Sequence, residues 1–300
     1  MTTALDRARA LLDQPPPQPV PGQLDLRSHT MPIRSVNFGC GQQSMAMMVL
    51  AARGEIDFNT FLFANVGDRS EYPPTLRYFD EHATPYAAAH GLELVMLRRV
   101  MVRTGETRDL YDEITRPGSK AQKIPIKLSN GNPGSRSCTA DYKVRVIGRE
   151  LKRRGATAED PATIAIGISL DEIHRANRKA QPHEVITYPL LELGLRRTDC
   201  VRIIQDAGLP VPPPSACWYC PNHSIEEWHR LRRSEPELFE KACQLEELMS
   251  KRETDQGKGA IHFTNYRRPL RDLIRPGVDL LPLADDDQSD GACDSGYCMT

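Results

Sequence analysis

An apolar run from Ile33 to Phe38 breaks at Gly39-Cys40-Gly41-Gln42-Gln43-Ser44 and gives way to a helix-type run from Met45 to Arg53. Strand, glycine loop and helix in that order admit few folds. The glycines allow a sharp turn and close backbone approach, while the helix start presents free N–H groups and the positive end of its dipole. Phe38 to Ser44 is therefore a candidate phosphate cradle, with the Ser44 hydroxyl as an added donor. Charge-assisted hydrogen bonds contribute roughly 1.5–3 kcal/mol each, so three or four would hold a phosphate chain at micromolar affinity or better. Two glycines alone fit an ordinary strand-to-helix turn equally well.

Support for the cradle comes from Cys217-Trp218-Tyr219-Cys220-Pro221, which follows Pro212-Pro213-Pro214. Two sulfurs on one tight turn converge on a single metal or cluster, and the flanking prolines fit a knuckle better than a core strand. Eight cysteines in a chain of 300 residues with no secretory pattern point to metal or redox chemistry, not to a disulfide scaffold.

A net charge of −1 gives no global attraction to nucleic acid or membrane, and the run Arg149 to Arg154 reads as a solvated helix face. No apolar run reaches the ~20 residues of a spanning helix, and the start shows no basic-then-apolar leader, so the expectation is a cytoplasmic protein without membrane contact. With 39% hydrophobic residues the chain has enough for one large core or a core and a smaller lobe.

Four regions follow from composition: a flexible Pro-rich arm (1–28), a nucleotide-binding α/β domain (29–210), a Cys knuckle with a helical region (211–283), and a mobile acidic tail carrying cysteines (284–300). Strands are expected over Ile33–Phe38, Thr60–Asn65, Leu92–Leu97 and Thr163–Ser169, and helices over Ser44–Arg53, Pro74–His90, Thr139–Arg154 and Thr198–Ala207. Alternation of this kind gives a doubly wound, mostly parallel sheet. Its ligands bind at the carboxyl ends of the strands, where the Gly39 loop, Asn65-Val66-Gly67-Asp68 and Gly167-Ile168-Ser169 fall. Ser224-Ile225-Glu226-Glu227 reads as a capping box, with Trp228, Leu231 and Phe239 as core anchors.

Taken in order, these residues resemble a known family. Gly39 to Ser44 is similar to the Ser-Gly-Gly-x-Asp-Ser pyrophosphate loop of the adenine nucleotide α-hydrolase (PP-loop ATP pyrophosphatase) superfamily, in its phosphoadenosine phosphosulfate (PAPS) reductase-like branch. Ala64 to Asp68 resembles that branch's second nucleotide loop, and Arg136-Ser137-Cys138-Thr139-Ala140-Asp141-Tyr142-Lys143 its Arg-x-Cys-Thr-x-x-Tyr-Lys element. Ile166 to Glu172, Tyr188-Pro189-Leu190 and Cys217-x-x-Cys220-Pro221 recur there in the same order, so the resemblance spans about residues 32 to 275.

The resemblance implies a HUP-like α/β fold and the handling of an adenine nucleotide, ATP or adenylylsulfate, by Phe38, Gly39, Gly41, Gln42, Gln43, Ser44, Asn65, Gly67, Asp68, Arg136, Gly167 and Ser169. It also implies cluster ligands at Cys138, Cys217 and Cys220, with Cys200 as the fourth. Four thiolates saturate a [4Fe-4S] cluster, three leave one iron open, and a Cys₄ zinc site is the alternative. Cys243 reads as a buried small apolar residue. Arg136 and Lys143 are the favoured anion contacts among the basic residues around Cys138, ahead of Lys123, Lys127 and Arg145.

Two departures stand out. Gln43 replaces an aspartate, which weakens the case for a Mg²⁺ contact, and Cys40 replaces a glycine. At a helix start Cys40 is either a reactive thiolate or a packed small residue, and the helix starts at Cys138 and Cys200 also favour thiolates. In the tail, Cys298 is a candidate nucleophile toward adenylylsulfate with Cys293 as resolving thiol, although acidic neighbours raise a thiol's pKa.

The function expected is an ATP-dependent sulfur transferase that adenylylates an acceptor and replaces AMP with sulfur, with Cys298, Cys40 and Lys143 as candidate catalytic groups. Sulfonucleotide reduction by the tail thiols, and a nucleotide-binding regulatory module with a zinc knuckle, are the alternatives. The partners implied are a sulfur donor or reductant protein and an acceptor that is nucleic acid or a small molecule; a homodimer is allowed.

Overall fold

The computed structural model describes residues 32–120, 122–130 and 132–275. The Pro-rich arm and the acidic tail with Cys293 and Cys298 lie outside the described residues.

Five strands form one wholly parallel sheet: β1 (Arg34–Asn37), β2 (Thr60–Asn65), β3 (Glu93–Arg98), β4 (Ala162–Ile166) and β5 (Glu184–Thr187), in the order β3-β2-β1-β4-β5. The first four fall where the sequence places them. β2 is buried along its whole length, as an inner strand covered on both faces must be. β5 was not legible, because an edge strand of four residues with Val185 half exposed has neither a long apolar run nor clean alternation.

The first helix, α1 (Gln42–Ala52), is apolar almost all round, with Met45, Met47, Met48, Val49 and Leu50 buried. It packs in one core with Phe38, Phe61 and Phe63 from the sheet side and with Cys200 and Ile204 of a later helix, Arg197–Asp206. The stretch expected as one helix over Pro74–His90 is three pieces: α2 (Pro73–Tyr78), a π turn (Phe79–Ala83) and α3 (Thr84–Ala89). Pro85 lacks an N–H and cannot continue an α ladder, and the register shifts just before it, where the Thr84 amide donates to the Phe79 carbonyl.

After β3 comes α4 (Leu110–Thr115); a second π turn (Thr139–Val144) then leads into α5 (Arg145–Arg153), which covers the other sheet face through Val146, Ile147 and Leu151. Beyond β5 lie α6 (Pro189–Glu192), α7 (Arg197–Asp206), α8 (Ile225–Ser234), α9 (Pro236–Thr254) and α10 (Leu270–Leu273). The capping box at the start of α8 is present: Ser224 Oγ accepts from the Glu227 amide at 3.2 Å and Glu227 accepts from the Ser224 amide at 2.6 Å.

Residues on both sides of position 210 share a core. Val66, Leu110, Ile114 and Tyr142 pack with Trp218, Trp228, Phe239 and Phe263, and Cys243 is buried among them. Trp228 is core, as read. The final segment closes this core, since Glu246 accepts from the amides of Phe263 at 2.7 Å and Leu270 at 2.6 Å.

Candidate functional site

The strand order reverses between β1 and β4, and parallel sheets bind ligands in the crevice outside the carboxyl ends at that point. The exits of these strands are the Gly39 loop and Gly167-Ile168-Ser169. They meet tightly: a Cβ on Gly167 would stand 2.9 Å from Met47 Cε and 3.2 Å from Gln43 Cβ. Gly39 has room, its nearest neighbour in that direction being Ser215 Oγ at 3.8 Å.

Within the loop the side chains divide between the core and the helix cap. Phe38 packs its ring edge-on to Phe61 and Phe63, with centroids 6.1 and 6.5 Å apart, so only its backbone remains for a ligand. Gly41 precedes α1; its N–H donates to Ser44 Oγ at 3.1 Å, and Ser44 Oγ donates to the Gly41 carbonyl at 3.0 Å. The Ser44 hydroxyl therefore holds the helix start in shape. Gln42 accepts from Arg197 Nε at 3.0 Å, and Gln43 Nε2 donates to Glu172 at 3.3 Å. Gln43 Oε1 and Ser169 Oγ are buried without a hydrogen-bond partner, two polar atoms at the switch point for which a bound polar ligand would supply partners.

Cys40 is the packed small residue, not the reactive thiol. It is fully buried, sits at φ 59° and donates Sγ–H to the Thr75 carbonyl at 3.6 Å. Burial drives its thiol far above the usual range, with Glu71 and Asp80 adding to the shift. The thiolate expected from a helix N-terminus does not form because desolvation outweighs the dipole.

At the exit of β2, Asn65 Oδ1 accepts from the Gly67 amide at 2.7 Å and Asn65 Nδ2 donates to Asp68 at 2.8 Å. Asp68 is paired with Arg98 at 2.8 Å. Gly67 has φ 132°, and a Cβ there would lie 2.1 Å from Asp109 Oδ2. Asp109 gathers the loop, accepting from the Arg69 amide at 2.9 Å, Ser70 Oγ at 2.6 Å and the Tyr111 amide at 2.8 Å.

The knuckle is fastened to this same loop. Glu71 and Cys217 form an antiparallel bridge, the Tyr72 amide donates to the Ala216 carbonyl at 3.2 Å, Trp218 Nε1 donates to the Arg69 carbonyl at 2.8 Å, and Tyr219 Oη donates to Ser70 Oγ at 2.9 Å. Two distant stretches of sequence are thereby held at the carboxyl edge of the sheet.

Cys138, at the head of the second π turn, comes into electrostatic reach of Cys217 and Cys220, and Lys143 and Glu71 join them. π turns recur at functional sites. Burial is the largest effect on each thiol. It raises Cys138 against Lys143 and the Thr139 amide and hydroxyl, lifts Cys217 well above its usual range with Glu71 adding to the rise, and pushes Cys220 up to about 12. Glu71 is itself raised by burial, with Lys143 and the Val66 amide pulling it down. Nothing in the sequence marks Glu71, since a lone acid before two prolines reads as a solvated turn residue. Among the described residues no group of three or more His, Cys, Asp or Glu side chains is arranged to hold a single metal ion.

Cys200 does not join this set. It is fully buried in the core that α1 and α7 share, its charged neighbours are Asp199, Asp171, Glu172 and Arg197, and its thiol is pushed up to about 12 by burial. The signal was present: Cys200 and Ile204 are an i, i+4 pair on the buried stripe of α7. Of the basic residues, Lys123 bridges Asp141 at 2.9 Å and Glu113 at 3.3 Å, Arg145 pairs with Asp141, and Lys127 approaches Cys220 and Arg136. Lys127 also exchanges backbone hydrogen bonds with His262 at 2.8 and 2.9 Å, which brings the final segment to the thiols.

Among the described residues no helix is long and apolar enough to cross a membrane. No protein-family model and no curated protein matches the chain. Among solved structures, the chain aligns with the PAPS reductase of Candida auris in its phosphate complex, at 14% identity and a TM-score of 0.39 over 61% of this chain and 76% of that one. It also aligns with the U34-tRNA thiolase NcsA of Methanococcus maripaludis, carrying its [4Fe-4S] cluster, at 14% identity and a TM-score of 0.39 over 73% of this chain and 72% of that one.

Proposed function

We propose that the chain is a nucleotide-dependent sulfur transferase. The carrying observation is the gathering of Cys138, Cys217 and Cys220 around Lys143 at the edge of the sheet where the Gly39 loop also opens. The donor type fits a [4Fe-4S] cluster with one iron left open: three thiols within electrostatic reach of one another, Cys220 buried and Cys138 and Cys217 half-buried. Bound there, the cluster would supply an iron able to take a sulfur ligand.

The protein's own residues supply the rest. The Gly39 loop and the first turn of α1 offer backbone N–H groups to a phosphate chain. An acceptor oxygen would attack the α-phosphorus of ATP, breaking the bond to the β-phosphate and releasing pyrophosphate. Sulfide-level sulfur from a donor would then attack the activated centre of the acceptor, the bond to sulfur forming as the bond to oxygen breaks and AMP leaves with that oxygen. The positive charge of Lys143 lowers the affinity of all three thiols for protons and so favours their ligand form. Gln43 in place of an acid leaves Mg²⁺ without that carboxylate, and Cys298, the candidate nucleophile, is outside the described residues.

The test is anaerobic reconstitution with iron and sulfide. Ser at Cys138, Cys217 or Cys220 should abolish the cluster absorbance, while Cys200→Ser keeps it, and pyrophosphate should be released from ATP when acceptor is present. Zinc in place of iron sinks the proposal, as does sulfite release from adenylylsulfate that is lost in Cys298→Ser.

A further inference from the structure

Residues 210–216, Pro-Val-Pro-Pro-Pro-Ser-Ala, lead from the end of α7 to the cysteine knuckle. Four prolines fix φ along this strap and keep it stiff. It is bonded to α2 at three successive points: Tyr78 Oη donates to the Pro210 carbonyl at 2.7 Å, Thr75 Oγ1 to the Pro214 carbonyl at 3.4 Å, and the Tyr72 amide to the Ala216 carbonyl at 3.2 Å. The Thr75 carbonyl accepts in turn from Cys40 Sγ at 3.6 Å. The Gly39 loop, α2 and the strap are therefore joined by hydrogen bonds, and Cys217 stands at the strap's far end.

Ser215 is the strap's hydroxyl, and it faces the loop. The residue is more than nine-tenths buried, and its Oγ is the nearest atom in the direction of a Cβ on Gly39, at 3.8 Å. Among the described residues no hydrogen bond reaches that hydroxyl. Ser44, the hydroxyl that the sequence offers to a phosphate, is instead turned to the Gly41 N–H and carbonyl. Gln43 Oε1 and Ser169 Oγ are also buried without a partner at this switch point. Three polar atoms around one loop thus lack the partner that a polar ligand supplies.

We propose that Ser215 Oγ donates to the phosphate chain held at the Gly39 loop, and that the strap thereby ties occupancy of the cradle to the position of Cys217, two residues further on. The inference rests on the nucleotide reading of that loop. A hydroxyl donating to a phosphate oxygen makes a charge-assisted bond. Bonded to the phosphate at Ser215 and to α2 at three carbonyls, the strap would leave the knuckle less freedom to open.

The experiment compares the whole chain with Ser215→Ala. Calorimetry with ATP, pyrophosphate and adenosine should show ATP and pyrophosphate weakened about tenfold, the loss of one charge-assisted contact, with adenosine unchanged. The urea midpoint should stay in place, because the hydroxyl has no protein partner to lose. At saturating ATP, amide hydrogen exchange over Cys217 to Cys220 should slow in the parent chain and slow less in Ser215→Ala. Unchanged ATP affinity, a loss for adenosine as large as for ATP, a lowered urea midpoint, or exchange slowed equally in both chains overturns the inference. A parent chain that binds neither ATP nor pyrophosphate sinks the proposed function and this inference with it. A chain that shows the Ser215 effect but takes up no iron sinks the cluster reading and leaves this inference standing.

Discussion

Replacing Gly67 with alanine tests whether the β2 exit loop holds the thiol site. The added Cβ would stand 2.1 Å from Asp109 Oδ2 and 2.8 Å from the Asp109 Cα, so both side chain and backbone must move. At φ 132° the residue is in a region that only glycine occupies without strain, which costs about 1–3 kcal/mol. Displacing Asp109 also breaks its bonds to the Arg69 amide, Ser70 Oγ and the Tyr111 amide, at about 1 kcal/mol each. The sum is on the order of 4–6 kcal/mol. Gly91→Ala is the control, because Gly91 has φ 67° with nothing within 4 Å of its added Cβ, and it should lose only about 1 kcal/mol. Urea unfolding at equilibrium measures both. Gly67→Ala and Asp109→Ala should be strongly non-additive when combined, as they break the same contacts. Gly67→Ala should also reduce iron uptake, since the displaced loop carries Glu71 and, through it, Cys217. Equal destabilisation in Gly67→Ala and Gly91→Ala would refute the reasoning.

Gly167→Ala should loosen the switch point at a smaller penalty of about 1–2 kcal/mol, because the added Cβ meets the flexible end of Met47 at 2.9 Å but also Gln43 Cβ at 3.2 Å; nucleotide affinity by calorimetry should fall with it. Native protein treated with iodoacetamide at pH 8 should leave Cys40 and Cys200 unmodified by mass spectrometry until it is unfolded, since both are fully buried with raised thiol pKa values. Glu246 is pushed up to about 7 by burial, above its unfolded value of 4.5, so the folded state holds the proton more tightly. Its contribution is complete below pH 4.5 and is lost as pH rises through about 7, an effect on the order of 3 kcal/mol that Glu246→Gln should remove from the pH dependence of urea unfolding.

The first strand, its glycine loop and the helix after it were legible because burial and turn chemistry are both local there: a run of apolar residues, two glycines and a second apolar run. The meeting of Cys138 with the knuckle was legible only through the ordered motifs of the resemblance, because a tertiary contact between distant turns leaves no periodicity. The errors share one physical cause. Cys40 and Cys200 were read from the helix dipole, a local quantity, whereas their protonation follows from desolvation, set by what the rest of the chain packs over them. The i, i+4 pairing of Cys200 with Ile204 would have decided that case. Glu71 and Glu184 gave no signal, since the sequence does not show which acids a fold will bury.

The same distinction explains Gln43. Viewed alone it is a missing carboxylate, but its amide donates to Glu172, which Arg175 meets at 3.4 Å and Arg197 at 3.9 Å, and Arg197 in turn donates to Gln42. An aspartate at position 43 would bring a second negative charge up to a carboxylate that is already nearly buried, raising the pKa of one of the pair. The glutamine is therefore matched to Glu172, and the two glutamines tie the start of α1 to the turn after β4 and to the start of α7. A phosphate chain at the Gly39 loop would meet a helix start held in place from three directions, so little ordering of the loop would be needed on binding.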